Sequence, residues 1–158
     1  MDLSDDVLFL SLRPEYAELL VGGQKTVELR RIRPRAPVGT IVLLYASSPQ
    51  RELVGTCTVA AIGQATPDQI WKLHGSKTGI CRTDFRAYFN GTTQAVAITV
   101  TNPRRFDRPI SLPRLRSKWI DFQPPQSFRY VSNADASQLL GGQISLLELG
   151  GVMSKANS

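Results

Sequence analysis

The apolar residues of this chain come in short runs, each the length of a strand and each cut off by glycine, proline or a polar turn. "VLFLSL" (7–12) reads as a buried strand. Residues 25–31 alternate, with Val27 and Leu29 on one face and Thr26, Glu28 and Arg30 on the other. "TIVLLYAS" (40–47), "ELVGTCTVAAIG" (52–63, with a bend at Gly55) and "TQAVAITVT" (93–101) follow, and a further strand is expected near 104–111. "QPPQSFRYV" (123–131) is extended. Helical signals are fewer. Pro14 opens "PEYAELLVG", which places Tyr16, Leu19 and Leu20 on one face and stops at Gly22 and Gly23. Thr66-Pro67-Asp68 caps "DQIWKLHG". Thr83 is the expected cap of a short helix in "RTDFRAYFNG" (82–91), and another short helix is expected near 113–119. Trp71, Phe85, Tyr88 and Phe89 fall at helical spacings and are assigned to the core, as are Trp119 and Phe128.

Strands outnumber helices and do not alternate with them in the middle of the chain, which disfavours a doubly wound parallel sheet. The expected fold is α+β: a small mixed barrel of five to six strands closed by hydrogen bonds, with two to four peripheral helices. One domain spans 1–131. Residues 132–158 form a C-terminal extension, partly flexible, that adds a strand or helix or binds a partner protein.

The 158 residues carry a net charge of +6, and fourteen of the nineteen basic residues are arginine. A planar guanidinium suits phosphate oxygens and base faces. Two unpaired cysteines, Cys57 and Cys81, and a single His74 supply no zinc-ligand spacing, and there is no nucleophile elbow to make a serine triad with that histidine. No metal and no cofactor are expected. No apolar run approaches a membrane span, and the acidic start "MDLSDD" lacks the basic region of a secretory signal, so a cytoplasmic location is expected.

The stretch "GGQKTVELRRIRPRAP" (22–37) concentrates the chemistry. Lys25 stands at a helix-to-strand junction beside glycines that let a ligand approach the backbone. It is a phosphate partner, or a base or nucleophile with Glu28 beside it if the protein is an enzyme. Glu28 and Arg30 point the same way from their strand. They are either a structural ion pair or a recognition pair for a base and a phosphate. Arg31, Arg33 and Arg35 are either solvated charge or a phosphate-binding rim, on a loop stiffened by Pro34 and Pro37. Tyr45 either stacks on a base or belongs to the barrel, and Ser47 shares its face. Ser11 and Arg13 end the first strand and line the same cleft. Gln126, Ser127 and Arg129 add two polar readers and a phosphate partner.

Taken together, "LSLRPEYAELLVGGQKTVELRR", "GTIVLLYASSP" and "ELVGTCTVAAI" resemble the ASCH domains, relatives of the RNA-binding PUA domain. The mark is Gly23, Lys25, Thr26, Glu28 and Arg30, followed by Gly39 to Ser47, with further likeness at 70–71, 85–91 and 124–131. The resemblance implies a PUA-like barrel with a cleft beside the first helix, and RNA or another single-stranded nucleic acid as partner. A modified nucleoside is an alternative occupant, and a regulatory protein-interaction module is the alternative to both. Some members are enzymes. One type removes an acyl group from acetylated cytidine with a lysine, a threonine three residues on and a downstream glutamate; another cleaves RNA. Here Lys25 is followed three residues on by Glu28, and Asp84 is the nearest downstream acid.

Overall fold

The computed structural model describes residues 6–141. Six strands, β1 (Val7–Leu12), β2 (Val27–Arg30), β3 (Ile41–Ala46), β4 (Glu52–Ala65), β5 (Ala95–Ser111) and β6 (Phe128–Val131), form one curled mixed sheet in the order β2-β5-β4-β3-β1-β6. Among the described residues only the β1–β3 pair is parallel, with Leu10 opposite Leu44 and Ser11 opposite Tyr45. The helices are α1 (Pro14–Val21), α2 (Pro67–His74), α3 (Arg82–Tyr88), α4 (Leu112–Lys118) and α5 (Asn133–Leu140). This is the α+β, PUA-like arrangement expected, with five helices.

Strand parity sorts the apolar side chains into three cores. Leu8, Leu10 and Leu12 of β1, Val42 and Leu44 of β3, and Ile98 of β5 fill the concave face, over which α1 lays Ala17, Leu20 and Val21. Val7 and Phe9 turn to the other face and meet Leu43, Phe106, Leu115 and Phe122. β1 is apolar on both sides because both sides are covered. The third core joins Val27 and Leu29 of β2 to Ile70, Phe85 and Phe89 of α2 and α3. That leaves Glu28 and Arg30 pointing the opposite way from β2.

β4 and β5 are long because they serve more than one core, and they bend to do so. Register shifts fall between Leu53 and Gly55 on β4. A Cβ on Gly55 would lie 2.2 Å from the Arg104 carbonyl oxygen and 2.6 Å from Val21, so only glycine lets the bent strand and α1 approach this closely. The two strands expected at 93–101 and near 104–111 are one strand, continuous through Asn102-Pro103. Asn102 takes φ 53 at an irregularity in the ladder, where proline's missing donor is tolerated.

Two local expectations change. α3 begins after Cys81, which makes no side-chain cap, and Thr83 sits inside the helix. The Thr66 cap on α2 is a full capping box, with Gln69 returning the hydrogen bond. Past residue 131, Ser132 caps α5, and Ala136, Leu139 and Leu140 enter the second core. The remainder of the extension, and the partner role expected of it, lie outside the described residues.

Among the described residues no backbone ladder joins β2 to β6, so the sheet is a half-barrel with a seam. Side chains bridge it. The Arg30 guanidinium reaches from β2 to the Ser11 carbonyl oxygen of β1 at 3.0 Å and to the Ser127 carbonyl oxygen at 3.2 Å. Farther along, the Arg35 backbone N–H donates to the Tyr130 hydroxyl at 2.8 Å. No described helix is long and apolar enough to cross a membrane.

Candidate functional site

The seam opens into a cleft of about 490 Å³ beside α1. β2 and the turn before it supply Glu28, Arg30 and Lys25; β1 and the residue after it supply Ser11 and Arg13; the segment before β6 supplies Gln126 and Ser127. α1 adds Tyr16, and α3 adds Asp84, Ala87 and Tyr88.

Three charged side chains form the wall and are almost wholly buried: Lys25 is 3% exposed, Glu28 6% and Arg30 7%. Glu28 Oε1 lies 3.1 Å from Lys25 Nζ, and Glu28 Oε2 lies 2.6 Å from Arg30 Nη2. Burial pushes the Glu28 carboxyl up, but the Arg30 guanidinium, the Lys25 ammonium and their hydrogen bonds outweigh it and hold the group below its ordinary value. Two buried cations against one buried carboxylate leave a positive charge in the wall.

Counting donors separates the two cations. Arg30 has five N–H groups. Nε and one Nη2 hydrogen go to Glu28, the other Nη2 hydrogen goes to the Ser11 carbonyl, and Nη1 serves both the carbonyl and the hydroxyl of Ser127. Every donor is spent on the protein. Arg30 is a clasp, the structural one of the two roles expected for the Glu28–Arg30 pair. Lys25 has three donors and uses two, one on Glu28 and one on the Thr78 carbonyl oxygen. Its stem is covered by the loop after α2. There Gly79, at φ +70, passes close enough that a Cβ would lie 3.0 Å from Leu19.

One hydroxyl joins the remaining Lys25 donor. Ser127 Oγ accepts from Arg30 at 3.0 Å, so its own hydrogen is free. Ser11 pairs with Tyr45 and shares the parity of Val7 and Phe9, so its buried, partnerless Oγ is turned toward the second core and only its carbonyl oxygen meets the cleft wall. The floor therefore presents two donors and a net positive charge, which suits an acceptor-rich anion.

The sequence reading missed the aromatic walls. Tyr16 and Tyr88 both line the cleft, and Tyr88, assigned to the core, is 36% exposed. Burial comes first in pushing both phenols up, with the Glu15 and Asp84 carboxylates adding to it at Tyr16, so both stay hydroxyl donors. The signal was in α3. Phe85 and Phe89 are four apart and face the core, whereas Asp84 and Tyr88, also four apart, face the cleft. Arg31 holds Tyr88 from outside: it donates to the Tyr88 carbonyl oxygen and lies 5.0 Å from the ring centroid.

Several expected members lie elsewhere. Tyr45 is turned away from the cleft, because its parity on β3 sends it into the second core, 5.6 Å from Phe9. Ser47, just past β3, lines a neighbouring groove. Arg33 is exposed and reaches the Ile62 carbonyl oxygen at 3.4 Å, and the Arg35 guanidinium lies 5.9 Å from the Tyr130 ring. Neither lines the cleft. Arg129 points to the face opposite Phe128 and Tyr130 and packs over Trp119 at 4.9 Å. Among the described residues no three His, Cys, Asp or Glu side chains converge on a metal-sized site. Cys57 is buried, its thiol pushed up to about 12 by burial and then by Glu28.

The sequence profile of the ASCH domain matches residues 10–109, which carry most of this wall. The chain belongs to the ASCH domain family. The domain is 32% identical over 131 residues to an ASCH domain-containing ribonuclease from Zymomonas mobilis, spanning 83% of this chain and 88% of that one. The crystal structure of an ASCH protein from Zymomonas mobilis superposes with a TM-score of 0.84 at 30% identity, covering 91% of this chain and 99% of that one. A protein from Pseudomonas putida shares the fold alone, with a TM-score of 0.58 at 16% identity over 87% of this chain and 99% of that one.

Proposed function

We propose that this ASCH domain binds single-stranded RNA with a phosphate seated on Lys25 and Ser127, and cleaves it there. The observation that carries the reading is the donor count: an unspent Lys25 hydrogen and a free Ser127 hydroxyl line the cleft where the buried charge is positive. Phosphate oxygens accept both. Tyr16 and Tyr88 offer rings on which the attached base stacks, a contact that does not depend on sequence. The Zymomonas relative, a ribonuclease, supports RNA as the substrate class.

The chemistry follows from what each group can still do. In the cleavage of an RNA phosphodiester by its own 2′-hydroxyl, that oxygen attacks phosphorus, the 5′-oxygen leaves, and a 2′,3′-cyclic phosphate forms. Negative charge on the phosphoryl oxygens rises at the transition state, and preorganised donors act on that rise. Glu28, neutralised by two cations, is a poor proton acceptor. Asp84 lines the cleft and has no ion-pair partner among the described residues, so it takes the 2′-hydroxyl proton, while water protonates the leaving oxygen.

The test is an end-labelled single-stranded RNA incubated with the protein, beside its DNA counterpart, duplex DNA and acetylated cytidine. RNA cleavage to cyclic phosphate ends, lost in Lys25→Met, is expected. No RNA binding at low salt, or cleavage unchanged in Lys25→Met, overturns the reading. Release of acetate from acetylated cytidine without RNA cleavage would assign the cleft to amide hydrolysis instead.

A further inference from the structure

A second concavity adjoins the cleft. It is an open groove of about 710 Å³ between the start of α1 and the β3–β4 turn, lined by Arg13, Glu15, Ser47, Ser48 and Gln50 together with Pro14 and Pro49. Arg13 belongs to both hollows and is the ridge between them. Its exposed guanidinium makes no ion pair among the described residues and caps no helix. That contrasts with Arg30 and Arg31, whose guanidiniums are committed to backbone carbonyl oxygens.

We infer that the groove is a second nucleotide subsite, and that a single RNA strand runs from the cleft over Arg13 into it. The inference rests on the RNA reading of the cleft. A strand whose one phosphate sits on Lys25 must leave the cleft somewhere, and a cation at the exit neutralises the next phosphate as it crosses. Past the ridge the walls change character. Ser47 and Ser48 carry hydroxyls, and Gln50 gives one amide hydrogen to Glu52 at 3.1 Å, which leaves its carbonyl oxygen and a second hydrogen unspent. Those groups both donate and accept, as the edges of a base do. Glu15 is the carboxylate on this wall and disfavours a phosphate beside it. The groove therefore takes a nucleoside and Arg13 takes the linking phosphate. The space is within the range that ordinary small-ligand sites occupy.

The subsite makes affinity depend on strand length. The probes are 2′-fluoro pyrimidine oligonucleotides, a dinucleotide and a pentanucleotide, which lack the hydroxyl needed for cleavage. The pentanucleotide is expected to bind about tenfold tighter than the dinucleotide. Gln50→Glu puts a negative charge in the groove at an exposed turn and is expected to remove that difference while leaving dinucleotide affinity unchanged. Ser47→Asp repeats the test from the end of β3, and thermal melts confirm that both variants are folded. If the dinucleotide binds and the pentanucleotide gains nothing, or if both variants keep the full gain, the subsite is overturned and the cleft reading stands. If neither oligonucleotide binds, the RNA reading fails and the subsite fails with it.

Discussion

Arg30 and Ser127 are 97 positions apart in sequence, yet Arg30 Nη1 meets Ser127 Oγ at 3.0 Å across the open seam of the half-barrel. One end of that guanidinium is anchored on Glu28 of its own strand and the other on β1 and the segment before β6. The clasp that closes the fold is therefore also the wall of the cleft.

Removing the clasp leaves Glu28 buried with Lys25 alone and takes the Arg30 hydrogen bonds from the Ser11 and Ser127 carbonyls, of which Ser127 keeps the Ser11 backbone N–H at 2.9 Å. Arg30→Ala is expected to destabilise the domain by about 3–5 kcal/mol, the usual cost of orphaning one side of a buried ion pair. Arg30→Lys keeps the charge and recovers only part of the loss, since three donors on a flexible stem cannot replace five in a plane. Urea denaturation of the three proteins measures this. A loss under 1 kcal/mol for Arg30→Ala would mean that the seam holds without it.

The Glu28 carboxyl has a folded-state pKa below its ordinary value of 4.5. The unfolded chain therefore takes up that proton first as the pH falls. The stability contributed by ionised Glu28 is fully present above 4.5 and is lost as pH drops through the lower folded value. Glu28→Gln is expected to be less stable at neutral pH and to show a shallower acid limb. Urea midpoints collected from neutral to acid pH decide it: parallel acid limbs in both proteins would place the pH dependence on other carboxylates.

Where the sequence was legible, local physics and tertiary packing agreed. The Thr66 box, the Pro14 helix start, the bend at Gly55 and the alternation of β2 each follow from short-range rules, and each stands in the structure. The cleft members Ser11, Arg13, Lys25, Glu28, Gln126 and Ser127 came from strand parity combined with a familiar motif. The misplacements have another origin. Tyr45 has the same alternation whichever face is the core, and only the pairing of β3 between β1 and β4 fixes which side is filled. Tyr88 looked like core because one helix carries two aromatic faces. Nothing in the spelling of "ELR" reveals that all five Arg30 donors end on the protein, since two of their acceptors lie on Ser127.

Gly55 is the tightest approach in the barrel. Its missing side chain leaves room for the Arg104 carbonyl oxygen, a backbone atom that cannot rotate away. Gly55→Ala must push β4 from β5 or lift α1 off Val21, and a loss of about 3 kcal/mol is expected, at the upper end for overpacking. A denaturant midpoint unchanged from the parent would show that the bend absorbs a methyl group and that the register shift, not the close contact, requires glycine.

Ser11 separates stability from function. Its hydroxyl is buried without a partner, so the folded protein bears a desolvation cost that the unfolded chain does not. Ser11→Ala removes an oxygen and leaves β1 packed as before, because the strand's apolar neighbours on either side are unaffected. The variant is expected to gain up to about 1 kcal/mol in stability. The same change leaves the Lys25 and Ser127 donors of the cleft in place, because the Ser11 hydroxyl is turned toward the second core, so single-stranded RNA is expected to bind as tightly as it does to the parent. Denaturation and anisotropy titration on one preparation test the pair of outcomes. A loss of affinity of about fivefold or more would put the Ser11 hydroxyl on the binding floor. A loss of stability would mean that its hydroxyl is already satisfied in the free protein.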